Sequence, residues 1–138
     1  FGVTQGNIGP PTMAQISSYR TELNAYKKEV ESNAFNLDKE RLIELIDLRI
    51  ALNALQETQF KAIALIDSGN NCEAVVSLQK ANAQIPSIEN KINGQNTKCK
   101  SDTKCSPGLG SYYSNISDTV TLIKQENTNL IQLLQQYC

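Results

Sequence analysis

"DKERLIELIDLRIALNALQETQFKAIALIDSG", residues 38–69, decides the fold. Leu45, Leu48, Leu52, Leu55, Gln59, Ala62 and Ile66 recur at spacings of three and four, which is one stripe of an amphipathic helix. Leu42, Ile46, Ile50 and Ile63 widen that stripe. A face this wide packs against more than one neighbour, whereas a two-stranded coiled coil needs only a narrow seam. The pattern predicts a helix from about Asp38 to Ser68, closed by Gly69 in a left-handed cap.

The neighbours follow on either side. Upstream, Thr12 and Gln15 have the spacing of a capping box. Ile16, Tyr19, Leu23, Tyr26 and Val30 then make a second stripe, predicting a helix to about Asn33 and a short connection around "NAFN". The tyrosines are expected in the core, with their hydroxyls at its rim. Before this helix, residues 1–11, "FGVTQGNIGPP", show no period and read as an irregular arm. Downstream, Asn70 and Glu73 suggest another cap, followed by Ala74, Leu78, Ala81, Ile85, Ile88 and Ile92. Pro86 predicts a kink or restart near residues 85–87, and Asn93-Gly94 predicts an end. Residues 95–110, with Pro107, Gly108 and Gly110, read as a loop. A last helix is expected from about Ser111 to the terminus on Tyr113, Ile116, Val120, Ile123, Asn127, Leu130, Leu134 and Tyr137. The expected fold is all-α: an up-down-up-down four-helix bundle over residues 12–138 with two disulfides.

Helix order selects the disulfides. Cys72 opens the third helix and Cys138 ends the fourth, so an antiparallel pair puts both at one pole. Cys99 and Cys105 fall in the loop at the other pole. About 20 helical residues separate the poles by about 30 Å, while a disulfide needs α-carbons within about 7 Å. Cys72–Cys138 with Cys99–Cys105 is the one pairing that does not bridge that distance.

Composition removes most chemistry. The chain of 138 residues has no histidine and a formal net charge of −1. Histidine-based nucleophilic catalysis is excluded, and Glu-x-x-His metal pairs cannot form. "CKSDTKC" lacks the spacing of a zinc site or of a catalytic dithiol. Asp38, Glu40, Glu44 and Asp47 alternate with Lys39, Arg41 and Arg49, as on a solvated helix face. No cofactor, metal or nucleic-acid partner is expected, and no apolar run reaches the roughly 20 residues of a membrane span.

The chain opens at Phe1 without a charged-then-apolar leader, and its cysteine count is even. Both features are expected of a processed, secreted, extracellular protein with disulfides. Asn115-Ile116-Ser117 is a glycosylation acceptor pattern.

Two candidate sites remain. The stapled loop would display Lys98, Lys100, Asp102 and Lys104, with Leu109 and Tyr112 beside them, for contact with another macromolecule. Alternatively, Gln59 and Asn127, each about eleven residues from the same pole, would meet in one layer beside Ala81, Leu55 and Leu130. Such a pair fixes helix register, orients a small apolar ligand in a cavity, or faces water. The leading expectation is a secreted non-enzymatic binding protein acting by surface contact, and the alternative is a carrier of a small apolar ligand.

Overall fold

A computed structural model describes residues 12–33, 39–106 and 108–138. The expected arm at 1–11, most of the "NAFN" connection, the start at Asp38 and the loop position of Pro107 lie outside the described residues. The described residues form four helices: α1 (Met13–Ser32), α2 (Lys39–Asp67), α3 (Asn71–Ser101) and α4 (Gly108–Gln135). Among the described residues there is no strand.

Side-chain pairs fix the helix directions. Lys27 meets Asp47 and Arg20 meets Glu57, so α1 and α2 run antiparallel. Glu89 meets Lys124 while Asn82 meets Thr128, so α3 and α4 do the same. Both disulfides form, with α-carbons 5.1 Å apart at Cys72–Cys138 and 5.3 Å apart at Cys99–Cys105. The first ties the start of α3 to the end of the chain. The second staples the turn between α3 and α4.

The bundle is unequal. The α2, α3 and α4 helices pack on one another, while α1 comes close in backbone only to α2. The breadth of α2's apolar surface explains this. Leu45, Leu48, Leu52 and Leu55 join Ile85, Ile88, Ile92, Tyr113, Ile116 and Val120 in the main core. Ile46 lies on another side of α2 and makes a separate cluster with Leu23 and Val30 of α1.

Local signals act much as their chemistry dictates. Gln15 N–H donates to Thr12 Oγ1 at 3.2 Å, and Thr12 N–H donates to Gln15 Oε1 at 2.8 Å, closing the capping box. Gly69 takes φ +85°, a conformation that glycine reaches without a Cβ penalty. Gly69 N–H donates to the Ile66 carbonyl at 3.0 Å and Asn70 N–H to that of Leu65 at 2.8 Å, a Schellman closure of α2.

Several expectations need correction. Asn70 begins α3 by position but makes no side-chain cap; its amide donates to Ser68 Oγ instead. The third helix does not stop at Asn93-Gly94 but runs to Ser101. Gly94 is not in a left-handed conformation, and Cys99, 8% exposed, still packs into the main core. Tertiary packing here outweighs the roughly 1 kcal/mol helix penalty of a glycine. Among the described residues the loop therefore shrinks to 102–106, and Gly108 and Gly110 lie in the first turn of α4. No restart occurs at Pro86, which is exposed, where the carbonyl one turn earlier can turn to water. The last helix ends at Gln135, and Tyr137 is 69% exposed. Tyr26 is 39% exposed and Ile63 45%, so neither is core.

Candidate functional site: the stapled turn and the amide layer

The turn at 102–106 is fixed from several directions. Asp102 caps α3, its N–H donating to the Cys99 carbonyl at 3.2 Å, and Cys105 N–H donates to the Asp102 carbonyl at 3.0 Å. Lys104 N–H donates to Asp102 Oδ1 at 2.9 Å, a turn of the Asx kind. Arg41, from the first turns of α2, donates to Asp102 Oδ2 at 2.6 Å. The hydrogen bond from Arg41, and then that from Lys104 N–H, holds the Asp102 carboxyl below the usual carboxylate range. Cys105 packs against the main core, and so closes the turn onto the bundle end.

The expected contact residues divide into two groups. Lys98, Lys100 and Lys104 are exposed. Leu109 and Tyr112 are half-buried and pack against the main core. The Arg49 guanidinium lies 5.0 Å from the centre of the Tyr112 ring, a cation–π contact. These two residues thus pack inward at the start of α4, while Lys104 is exposed on the turn and Lys98 and Lys100 are exposed in the last turn of α3. Asn115 is exposed on α4, while Ile116 beside it is fully buried.

The second candidate layer also assembles. Gln59 Nε2 donates to Asn127 Oδ1 at 3.0 Å, so the two amides do meet. Asn127 is fully buried, and its Nδ2 donates to Asn82 Oδ1 at 3.1 Å. Asn82 donates in turn to Thr128 Oγ1 at 3.3 Å, and Gln59 also reaches Glu126 Oε2 at 3.3 Å. The chain crosses α2, α4 and α3 between two apolar clusters. Leu55 and Ala81 belong to the main core on one side. Leu130 packs with Ala62, Leu78 and Leu134 on the other. Both ends of the Asn127 amide bond to protein side chains, the arrangement of a device that sets helix register.

Two features escaped the sequence reading. Asn82 completes the amide chain, yet it lies off the α3 stripe. Asn53 is 1% exposed on α2; its Nδ2 donates to the Ile16 carbonyl at 3.0 Å and its Oδ1 accepts from Arg20 Nε at 2.7 Å. The signal for Asn53 was present, since it stands seven residues after Ile46 inside "IALNAL". It is the same kind of polar interruption that drew attention to Gln59.

A shallow groove of about 350 Å³ runs between α2 and α3, lined by Glu44, Asp47, Leu48, Ala51, Lys91 and Lys98 among others. Among the described residues no group of three potential ligands from His, Cys, Asp and Glu is placed to hold a metal ion, and no helix is long and apolar enough to cross a membrane.

The chain matches no known family model, no curated protein and no solved structure. The functional reading therefore rests on its own residues.

Proposed function

We propose that the protein is secreted and non-enzymatic and acts by surface contact, with the turn between α3 and α4 as its contact site. One observation carries this reading. Three exposed lysines, Lys98 and Lys100 in the last turn of α3 and Lys104 on the turn that follows, flank a segment fixed by the Cys99–Cys105 bond and by the Arg41–Asp102 pair. A surface ordered before binding loses less conformational entropy when a partner docks. The two disulfides fit an oxidising compartment.

The test compares the parent chain with a Lys98→Ala, Lys100→Ala, Lys104→Ala variant. Both are immobilised and exposed to extracellular fluid of the source, with binding followed by surface plasmon resonance. The reading requires a signal from the parent that the variant loses while its circular dichroism is unchanged. Equal signals would oppose it, as would a small molecule co-purifying with the chain in a native mass spectrum. That second result would favour the carrier alternative.

A further inference from the structure

We infer that the groove between α2 and α3 is a binding site for a short peptide with free termini, its ammonium end held at Glu44 and its carboxylate end at Lys91. The groove holds about 350 Å³, at the lower end of the range for small-molecule sites. Each wall is one face of one helix. Glu44, Asp47, Leu48 and Ala51 line it from α2 at steps of three, four and seven residues. Lys91, Gly94, Gln95 and Lys98 repeat those steps on α3. Gly94 argues for an occupant. Glycine inside a helix costs stability, and nothing within this chain requires one at 94. Its backbone is not left-handed, and an added Cβ would meet nothing within 4 Å. What the missing side chain leaves is space in the groove. Beside it, the Gln95 Oε1 is buried with no hydrogen-bond partner among the described residues. Turning that oxygen to a donor lying in the groove removes the cost of leaving it unpaired.

The charges select the ligand. The Arg41–Asp102 pair sets the start of α2 beside the end of α3, so Glu44 lies toward Lys98 and Ala51 toward Lys91. One end of the groove carries both carboxylates with Lys98, and Asp47 there is already engaged by Lys27 at 2.8 Å. The other end carries Lys91 with Leu48, Ala51 and Gly94, and no acid lines it. Among the described residues Glu44, Lys91 and Lys98 close no ion pair. Two carboxylates and two ammonium groups leave the groove neutral as a whole but polarised along its length. It therefore favours neither a plain anion nor a plain cation. A ligand with a cation at one end, an anion at the other and an apolar middle matches it. Lys91 and Lys98 stand about 10 Å apart along the helix axis. An extended tripeptide spans about the same length, at about 3.4 Å per residue, and would lay its middle over Gly94. This site goes beyond the contact reading above, and its test uses Glu44, Lys91 and Gly94, which that reading does not involve.

Trialanine serves as the probe, titrated into the isotope-labelled full chain with backbone amide shifts read by nuclear magnetic resonance. N-acetyl-trialanine, trialanine amide and free alanine are the comparisons. Trialanine should give saturable shifts at Gly94 and Gln95. Blocking either terminus should weaken binding by about fivefold, the upper range for a part-exposed ion pair. Glu44→Gln should weaken trialanine by a similar factor and leave the acetylated peptide unaffected, because the ammonium it would meet is already gone. Lys91→Gln should stand in the same relation to the amidated peptide. Gly94→Leu should abolish the Gln95 shift with circular dichroism unchanged. Gly94→Ala, a smaller filling that the helix accepts even if leucine unfolds it, should weaken binding severalfold. Absence of a saturable shift in the parent would overturn the site, as would blocked peptides that bind as tightly as the free one. Free alanine binding as tightly as trialanine would overturn the peptide assignment. Shifts that leave Gly94 and Gln95 still while other surfaces move would place any binding elsewhere and sink the inference.

Discussion

Asn53→Ala should detach α1 from the bundle without unfolding the rest. Asn53 holds α1 through two hydrogen bonds, one from its Nδ2 to the Ile16 carbonyl and one from Arg20 Nε to its Oδ1. The neutral bond contributes about 1 kcal/mol and the charge-assisted one about 2 kcal/mol, so alanine should cost about 3 kcal/mol. Otherwise α1 is held by two part-exposed ion pairs, Arg20–Glu57 and Lys27–Asp47, and by a small cluster around Leu23 and Val30. It comes close in backbone only to α2, its apolar cluster is separate from the main core, and neither disulfide reaches it. A loss of about 3 kcal/mol is roughly a hundredfold in the opening equilibrium. Hydrogen exchange read by mass spectrometry should show α1 peptides exchanging faster than those of α3 and α4 already in the parent. In the variant, α1 amides should lose about two further decades of protection. Trypsin should then cut at Arg20, Lys27 and Lys28 while the disulfide-linked α3–α4 fragment persists. If α1 and α3–α4 peptides exchange at one common rate in both proteins, the bundle is a single cooperative unit and the reasoning fails.

Three further outcomes follow from the same geometry. Replacing Cys72 and Cys138 by serine opens a loop with a sequence separation of 66, and should lower the unfolding free energy in urea by about 4 kcal/mol in the chain-entropy account; a loss under about 1 kcal/mol would show that the reduced chain keeps those ends together. Asp102 has a depressed carboxyl pKa, so its stabilisation is present above the unfolded value of about 4 and is lost as pH falls through the lower folded value. Melting temperatures of the parent and of Asp102→Asn should therefore differ at neutral pH and converge in acid, and a constant gap would refute the assignment. Gly94→Ala should raise stability by about 1 kcal/mol, because Gly94 sits inside α3 and an added Cβ meets nothing within 4 Å. A lower melting temperature would mean that something in the α2–α3 groove requires the missing side chain.

The parts of the fold legible in the sequence were those set by short-range geometry. Cys72 and Cys138 mark known ends of two helices, so their bond was readable once the helices were antiparallel. Gly69 and the Thr12–Gln15 pair act within a few residues, and their caps formed as their chemistry dictates. Gln59 and Asn127 could be placed in one layer by counting rise from a shared pole. The end of α3 was illegible because it depends on competition. Asn93-Gly94 favours stopping, but Cys99 gains burial in the main core only if the helix continues. The attachment of α1 was illegible for another reason. Its stripe shows that one face is covered without naming the neighbour, and the residue that settles the matter, Asn53, lies on α2. For Tyr112 beside Leu109 the sequence leaves two readings open, an exposed patch or a cover on the bundle end, because nothing local reveals that Arg49 lies near the Tyr112 ring or that Leu109 reaches the core.

These attachments divide the molecule by stiffness, and the division leads to a last prediction. Both disulfides act within α3, the turn and the end of α4, so covalent restraint is concentrated in the hairpin that presents the lysines. The turn's further tether, Arg41 to Asp102, comes from α2, which packs on α3 independently of α1. Detaching α1 removes neither the disulfide nor the Arg41 contact. Asn53→Ala should therefore leave the hydrogen-exchange protection of the turn within about twofold of the parent, a shift below roughly 0.5 kcal/mol, even where α1 is fully open to trypsin. A larger drop would mean that the position of Arg41 depends on α1 being docked, through the Leu42 and Ile43 side chains that follow it and pack against the α1 cluster. The tether would then transmit the state of α1 to the turn, and the two units would be coupled where the packing indicates independence.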